Sequence, residues 1–388
     1  MILTTCAACA APLAHTAPRC VRCHTRYCNK TCQHDHWRRG HKQMCKKIHR
    51  GGNAEQYHAD KKYKEAVAVA VEACADDTKG QTCYICTQAL HWKTKEGLVR
   101  GCSCRGTAGF AHVSCLAEQA KILCDEAEEN NLMNTDRGCE RWRRWDTCNL
   151  CKQRYHGVVK YALGWACWKT YLGRPEGDRF RIWAMGTLGQ SMRMVGHVRE
   201  ATVVLEALLA LIDRQPEKEK HTHTVLNVQN TLASLYGQQG RHEEELSLRR
   251  KNYPLLKLIE GANSQNALIS ANNLGLCLHQ RGRHAAAREA LREPLADARR
   301  TFGEDHSITL NLRETTADAT SGLGGEANLR ETIAIYEDLV TRSRRVLGTS
   351  HPTTQQREQC LREFRAFLTG GVAAVLAERR ARGGGGGA

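Results

Sequence analysis

The chain has 388 residues, 20 of them Cys, with a formal charge of +16 and 25% charged against 41% hydrophobic residues. That length suggests two or three domains, and that balance is enough for packed cores and excludes wholesale disorder. No apolar run approaches the ~20 residues of a membrane span, and the first residues lack a basic stretch followed by an apolar one, so an integral membrane protein is excluded and export is not expected.

Without export the cysteines meet a reducing compartment, where disulfides do not persist and paired Cys read as metal ligands. Only Cys167, Cys277 and Cys360 lie beyond residue 152. The metal chemistry is concentrated at the front.

Residues 1–48 carry Cys6-x2-Cys9, Cys20-x2-Cys23, Cys28-x3-Cys32 and His41-x3-Cys45. Seven Cys and one His are the donors that two tetrahedral zinc sites need. A pair at i, i+3 lets a tight turn present both thiolates, and a pair at i, i+4 does so from one helix face. A block this short buries too little core to fold alone, so metal must supply folding energy. The run RYCNKTCQHDHWRRGHKQMC closely resembles the MYND zinc finger, with Tyr27 before Cys28, Gln33 after Cys32, Trp37 between, and His41-Lys42 leading to Cys45. The resemblance implies interleaved sets: Cys6, Cys9, Cys28 and Cys32 on one ion, Cys20, Cys23, His41 and Cys45 on the other. It also implies a protein-interaction module that accepts Pro- and Leu-containing peptides. His24, His34, His36 and His49 read as solvated or supporting histidines. The cations Arg38, Arg39, Lys42, Lys46, Lys47 and Arg50 read as a solvated basic helix rather than a nucleic-acid site, because no aromatic stacking platform accompanies them.

Residues 49–79 open on a Gly pair and read as a helical linker. Residues 80–156 hold the second block: Cys83-x2-Cys86, Cys102-x-Cys104, His112-x2-Cys115 and Cys148-x2-Cys151. Again there are donors for two zinc ions. The order of four Cys, one His and three Cys is shared by the RING-CH (RING-variant) and PHD fingers. The single residue between Cys102 and Cys104, the run CRGTAGFAHVSCL and the ending CNLCKQRYH resemble RING-CH; PHD stays open as the alternative. The RING-CH resemblance implies a cross-brace with Cys83, Cys86, His112 and Cys115 on one ion and Cys102, Cys104, Cys148 and Cys151 on the other. The stretch between Cys115 and Cys148 exceeds the family's span and reads as an inserted helix and loop.

The same resemblance implies a ubiquitin ligase that binds a charged ubiquitin-conjugating enzyme and holds its thioester open to attack. Catalysis of that kind is positioning, and the zinc is structural. Ile85, Trp145 and Lys152 are the candidates for the enzyme-binding surface. Each has a plainer reading: a buried loop residue, a core residue and an exposed lysine. Arg, whose planar fork bridges two acceptors, is the more usual choice at the last position.

Residues 157–182 form a Trp- and Tyr-rich connector, expected to pack the second finger on the first helical repeat. Cys74, Cys124, Cys139, Cys167, Cys277 and Cys360 read as small hydrophobes. From 183 to 368 Leu and Ala recur at helical spacing, and the pattern repeats. NTLASLYGQQGRH at Asn230 aligns with NNLGLCLHQRGRH at Asn272, and Gly261 and Gly303 keep the same interval of 42. Such a period marks stacked helix pairs. The unit resembles the tetratricopeptide repeat in the form found in kinesin light chains, with small Ala233 and Gly275 for close helix approach. Three to four units fit. The fourth departs from the pattern at Gly322, Gly324 and Gly325, and residues 369–388 read as a low-complexity, disordered tail.

The expected fold is therefore multidomain: two small cross-brace zinc fingers, MYND then RING-CH, followed by an all-α tetratricopeptide-like solenoid, with four zinc ions. The expected function is a soluble cytoplasmic or nuclear ubiquitin-protein ligase. The RING-CH finger would recruit the conjugating enzyme, while MYND and the repeats recruit protein substrates. A non-catalytic scaffold and a chromatin or transcription adaptor are the alternatives. No residue is assigned a covalent catalytic role: no cofactor signature marks a methyltransferase, and the well-placed Cys and His are committed to metal.

Overall fold

The computed structural model describes residues 5–11, 13, 17–133, 135–349 and 351–383. They form two compact units, Met1–Gln239 and Gly240–Ala388. Among the described residues there are no strands, only three isolated antiparallel bridges at Arg19–Arg26, Val99–Ala111 and Thr147–Arg154.

The first unit holds α1 (Lys30–His36), α2 (Lys42–Arg50), α3 (Ala54–Ala73), α4 (Val113–Glu129), α5 (Asp136–Trp142), α6 (Gly157–Tyr171), α7 (Arg179–Met194), α8 (Val198–Asp213) and α9 (Thr222–Gln238). Helix α6 is buried on nearly every side, with Leu163, Trp165, Trp168 and Tyr171 inside, as a helix apolar all round should be. It packs against α3, α4 and α7. Within this unit α6 thus lies between α4 of the second Cys-rich block and α7.

The expected helical linker holds helix α3, which is packed along one side rather than free. Tyr63, Ala66, Val67 and Ala70 make a helical stripe on α3 and are buried, and α3 packs on α6. Asn53 starts that helix by accepting from the Gln56 amide at 2.9 Å, a side-chain cap for an otherwise unpaired N–H. Lys169–Asp60 at 3.0 Å and Arg181–Glu55 at 3.4 Å tie α3 to α6 and α7. The second Cys-rich block is inserted between α3 and α6, two helices that pack together. Tyr63, whose hydroxyl lies 3.0 Å from Ser114 Oγ, and Arg174, which grips Glu128 at 2.6 and 2.8 Å, fasten it on both sides.

The second unit holds α10 (His242–Glu260), α11 (Gln265–Gln280), α12 (His284–Phe302), α13 (Ser307–Gly322), α14 (Glu326–Leu347) and α15 (Pro352–Gly383). Each packs on the next, and α11 also meets α13, the equivalent helix one repeat on. Gly261, Gly303 and Gly348 follow α10, α12 and α14 with φ of 89°, 83° and 88°, the left-handed stop that the repeat spacing indicated. Gly324 and Gly325 also have positive φ and lie in the turn after α13, so two of the fourth unit's three departures fall between its helices, while Gly322 is the last residue of α13. Helix α15 runs on to Gly383, so the tail expected from 369 is helical that far, where Ala, Leu and Arg carry high helix propensity. Residues 384–388, its glycine run, lie outside the described residues.

Close approach is set by small residues. A Cβ on Gly275 would sit 2.6–2.7 Å from three carbons of the fully buried Leu291, and one on Gly189 would sit 2.4 Å from Leu205. In a helix interior Ala normally gains about 1 kcal/mol over Gly. Here overpacking reverses the sign. Gly275→Ala should lose about 1–3 kcal/mol, read as a lower urea midpoint of the full chain at unchanged m. An unchanged or raised midpoint would mean that α11 and α12 are not held this closely.

Candidate metal centres

Four side-chain groups come together as the spacing and the resemblances implied. They are Cys6, Cys9, Cys28 and Cys32; Cys20, Cys23, His41 and Cys45; Cys83, Cys86, His112 and Cys115; and Cys102, Cys104, Cys148 and Cys151. Within each group the donor atoms all lie within 4.8 Å of one another. Sulfur pairs stand at 3.4 Å (Cys9–Cys28), 3.7 Å (Cys20–Cys45), 3.8 Å (Cys9–Cys32) and 3.7 Å (Cys104–Cys148). A zinc tetrahedron with ~2.3 Å Zn–S bonds has S–S edges of about 3.8 Å and S–N edges of about 3.6 Å. The sulfur–nitrogen distances agree: Cys23–His41 is 3.3 Å, and Cys86 and Cys115 are 3.4 and 3.5 Å from His112 Nδ1. The donor sets are compatible with zinc.

One backbone loop recurs at the first Cys of four pairs. The carbonyl of Cys6, Cys20, Cys83 or Cys148 accepts from the amide four residues on, at 2.8–3.1 Å. Its own amide donates to the carbonyl five residues on, at 2.8–3.0 Å. Each loop turns through a left-handed residue, Ala10, His24, Thr87 or Lys152, with φ of 59–62°. L-residues adopt that conformation only at a cost. A fifth copy has no cysteine: His91 carries the same two hydrogen bonds, Lys95 has φ 59°, and the Thr94 amide donates to His91 Nδ1 at 3.1 Å. A side-chain hydrogen bond closes this loop where metal would close the others. Cysteine counting could not find it.

In the first finger, Asn29 caps α1 by accepting from Cys32 N at 2.8 Å. Cys28 therefore precedes the helix, and the expected shared helix face for Cys28 and Cys32 is corrected to a turn plus one helical ligand. His41 and Cys45 do stand at the start and in the first turns of α2, after a kink at Gly40, whose φ is 122°. Tyr27 is buried beneath them, its hydroxyl 3.0 Å from His36 Nδ1, and the His36 ring stacks on His41 at 4.9 Å. Burial holds His41 below the usual histidine range, so the ring arrives neutral, the form that binds metal.

In the second finger the Val99–Ala111 bridge sets the Cys102–Cys104 loop beside His112, which interleaves the two groups. His112 is fully buried, its Nε2 lies 3.3 Å from the Ala89 carbonyl, and Nδ1 faces the sulfurs. That partner fixes which nitrogen is free for metal. Burial also lowers its pKa, against opposing pulls from the Ala89 carbonyl and Glu96. Gly109, with φ 85°, leaves no room for a Cβ: it would stand 2.6 Å from Cys104 Cβ and 3.2 Å from Cys102 Sγ.

The three surface candidates separate. Ile85 is half-buried at the tip of the Cys83 loop, and Lys152 is exposed, its Nζ 3.3 Å from Asn149 Oδ1. Trp145 is 0% exposed and packs edge-on to Tyr171, so it is core and leaves the candidate surface. Its burial comes from α6 and from the inserted stretch, which forms α4 and α5: the indole packs against Tyr171 and Trp142. Lys160 of α6, itself buried, pairs there with the Asp146 carboxylate and donates to the Trp145 carbonyl at 3.1 Å. Desolvation pulls this lysine down to about 8. A groove of about 890 Å³ instead includes Ile85, Trp92, Ile122, Leu132, Arg137 and Asn149. Trp92 is 68% exposed and was not singled out from sequence. Of the cysteines outside the four groups, Cys124, Cys167 and Cys277 are buried as expected, Cys74 and Cys360 are partly so, and Cys139 is exposed.

Residues 222–296 match the tetratricopeptide repeat family model. Two crystal structures of a Podosopora anserina putative kinesin light chain with nearly identical TPR-like repeats are similar to the chain at 17% and 16% identity. Their TM-scores are 0.41 and 0.40, covering 60% and 61% of this chain and 97% and 98% of theirs. BtubC (BKLC) from P. vanneervenii is similar at 13% identity and TM-score 0.39, covering 70% of this chain and 91% of its own. No curated protein sequence matches the chain. Among the described residues no helix is long and apolar enough to cross a membrane. The matched segment assigns α9 to α12 to tetratricopeptide repeats, units used to bind proteins.

Proposed function

We propose that the chain is a RING-type ubiquitin-protein ligase whose four side-chain groups each hold a zinc ion. Its repeats and first finger would hold the protein substrate. The observation that carries the reading is Ile85 at the tip of a Cys loop, lining a mixed groove in which Trp92 and Ile122 stand with charged Glu118 and Arg137. A RING-type finger presents such a residue to a conjugating enzyme. Lys152, exposed after the last ligand, is offered as the donor that braces the charged ubiquitin. Each group supplies four protein ligands, which leaves no open position for a reacting water. The chain forms no bond to ubiquitin; it restricts the thioester to reactive orientations. A scaffold without ligase activity is the second reading, favoured by the tetratricopeptide match alone.

Single-turnover discharge of ubiquitin from charged conjugating enzymes onto free lysine tests the proposal with the full, zinc-loaded chain. Acceleration by wild type should fall about 30-fold in Ile85→Ala, the size of an interface hot spot near 2 kcal/mol. No acceleration across a broad enzyme panel would leave the scaffold.

A further inference from the structure

Asp35 is the only carboxylate in residues 1–54, and the stretch that follows it holds Arg38, Arg39, Lys42, Lys46, Lys47 and Arg50. All six are exposed, and none is ion-paired among the described residues. Lys42, Lys46 and Arg50 recur every four residues along α2, which spans about 13.5 Å, so they line one outer stripe. Cys45 and Ile48 occupy the opposite, buried side.

Helix stability does not account for this arrangement. Cations at the C-terminal end of α2 complement its dipole, which suits Lys46, Lys47 and Arg50. Arg38 and Arg39, just before the Gly40 kink, and Lys42, the first residue of α2, lie at the opposite end, where positive charge opposes the dipole. An aromatic ring stands among them. Trp37 is 41% exposed, held edge-on against His41 at 5.9 Å, and is followed directly by Arg38 and Arg39. The stacking platform whose apparent absence argued against nucleic acid at the level of sequence is therefore present.

We propose that this face binds single-stranded nucleic acid, with the α2 stripe tracking phosphates and Trp37 stacking on an unpaired base. An exposed ring beside guanidinium groups and a cationic stripe is the combination that sequence-tolerant single-strand binders use. A duplex would offer the phosphates and no free base face. An acidic peptide would satisfy the charge and leave Trp37 without a role.

The test is fluorescence anisotropy of a labelled 12-nucleotide oligouridylate with the full zinc-loaded chain, from 50 to 200 mM salt. Four neutralised phosphates give a log–log salt slope of about −3, which weakens binding roughly 50-fold across that range. Lys42→Gln with Lys46→Gln should flatten the slope by about 1.4. Trp37→Ala should weaken binding about 5- to 150-fold, the cost of one base stack. Zinc content equal to wild type shows that each variant is folded, and Trp37→Phe, which keeps a ring, should recover most of the affinity. Absence of binding at 50 mM salt would overturn the proposal. So would a polyglutamate of matched charge that binds as tightly as the oligonucleotide and is indifferent to Trp37→Ala.

Discussion

Stripping metal from the chain is expected to unfold the second Cys-rich block outright, and replacing His112 by Ala to unfold the half built around it. His112 is fully buried, its Nδ1 faces Cys86 and Cys115, and its other nitrogen meets the Ala89 carbonyl. Around the ligand loops themselves the backbone has little else to hold it: no strands among the described residues, and turning residues that are left-handed. Structural zinc contributes about 10–16 kcal/mol in comparable small fingers, far more than a core of this size supplies. His112→Ala should therefore lose one ion and its hydrogen-exchange protection over residues 83–115. Because α4 begins at Val113 and packs on α6, protection should weaken there too. The second unit should keep its own unfolding transition. A finger that stays protected without metal would show that side-chain packing, rather than coordination, builds it.

Arg357→Ala is expected to be the most damaging single change in the second unit. The guanidinium is 1% exposed and binds two neighbouring helices at once: Glu314 at 2.8 and 3.0 Å and Asn311 at 3.0 Å on α13, and Ser343 Oγ at 2.8 Å on α14. Removing one partner of such a pair strands the other in low dielectric and costs about 3–5 kcal/mol. In a domain of this size that lowers Tm by roughly 10 °C. The double change Arg357→Met with Glu314→Gln removes both charges and should recover much of the loss, because a buried pair is worth little against an apolar replacement. Thermal unfolding of the full chain checks both. A double variant no better than the single one would show that packing around Arg357, not charge, is what matters.

The parts legible in sequence were those set by local spacing. Cys pairs at i, i+3 form tight loops whatever surrounds them, and the 42-residue interval between Gly261 and Gly303 marks helix ends that need a left-handed residue. The parts that were not legible depend on distant partners. The stretch around Tyr63 read as a linker because the helix it packs on, α6, lies beyond the whole second finger. Trp145 stayed open between surface and core because its burial depends on α6 and the inserted stretch together. Cys28 read as helical because the cap formed by Asn29 shifts the helix start by two residues. The His91 loop carries no cysteine, so nothing in its composition sets it apart. Trp37 is a residue that a small domain would be expected to bury, yet it is 41% exposed.

Native mass spectrometry of the full chain decides whether residues 1–48 and 80–156 are zinc fingers with interleaved ligand groups. Four zinc ions per chain are expected, with a pairing pattern: Cys9→Ser with Cys28→Ser removes one ion, because both belong to one group, while Cys9→Ser with Cys20→Ser removes two. Four ions lost pair by pair in that pattern would establish the cross-braced arrangement. Fewer than four ions in wild type, or loss of two on changing Cys9 and Cys28 together, would contradict it.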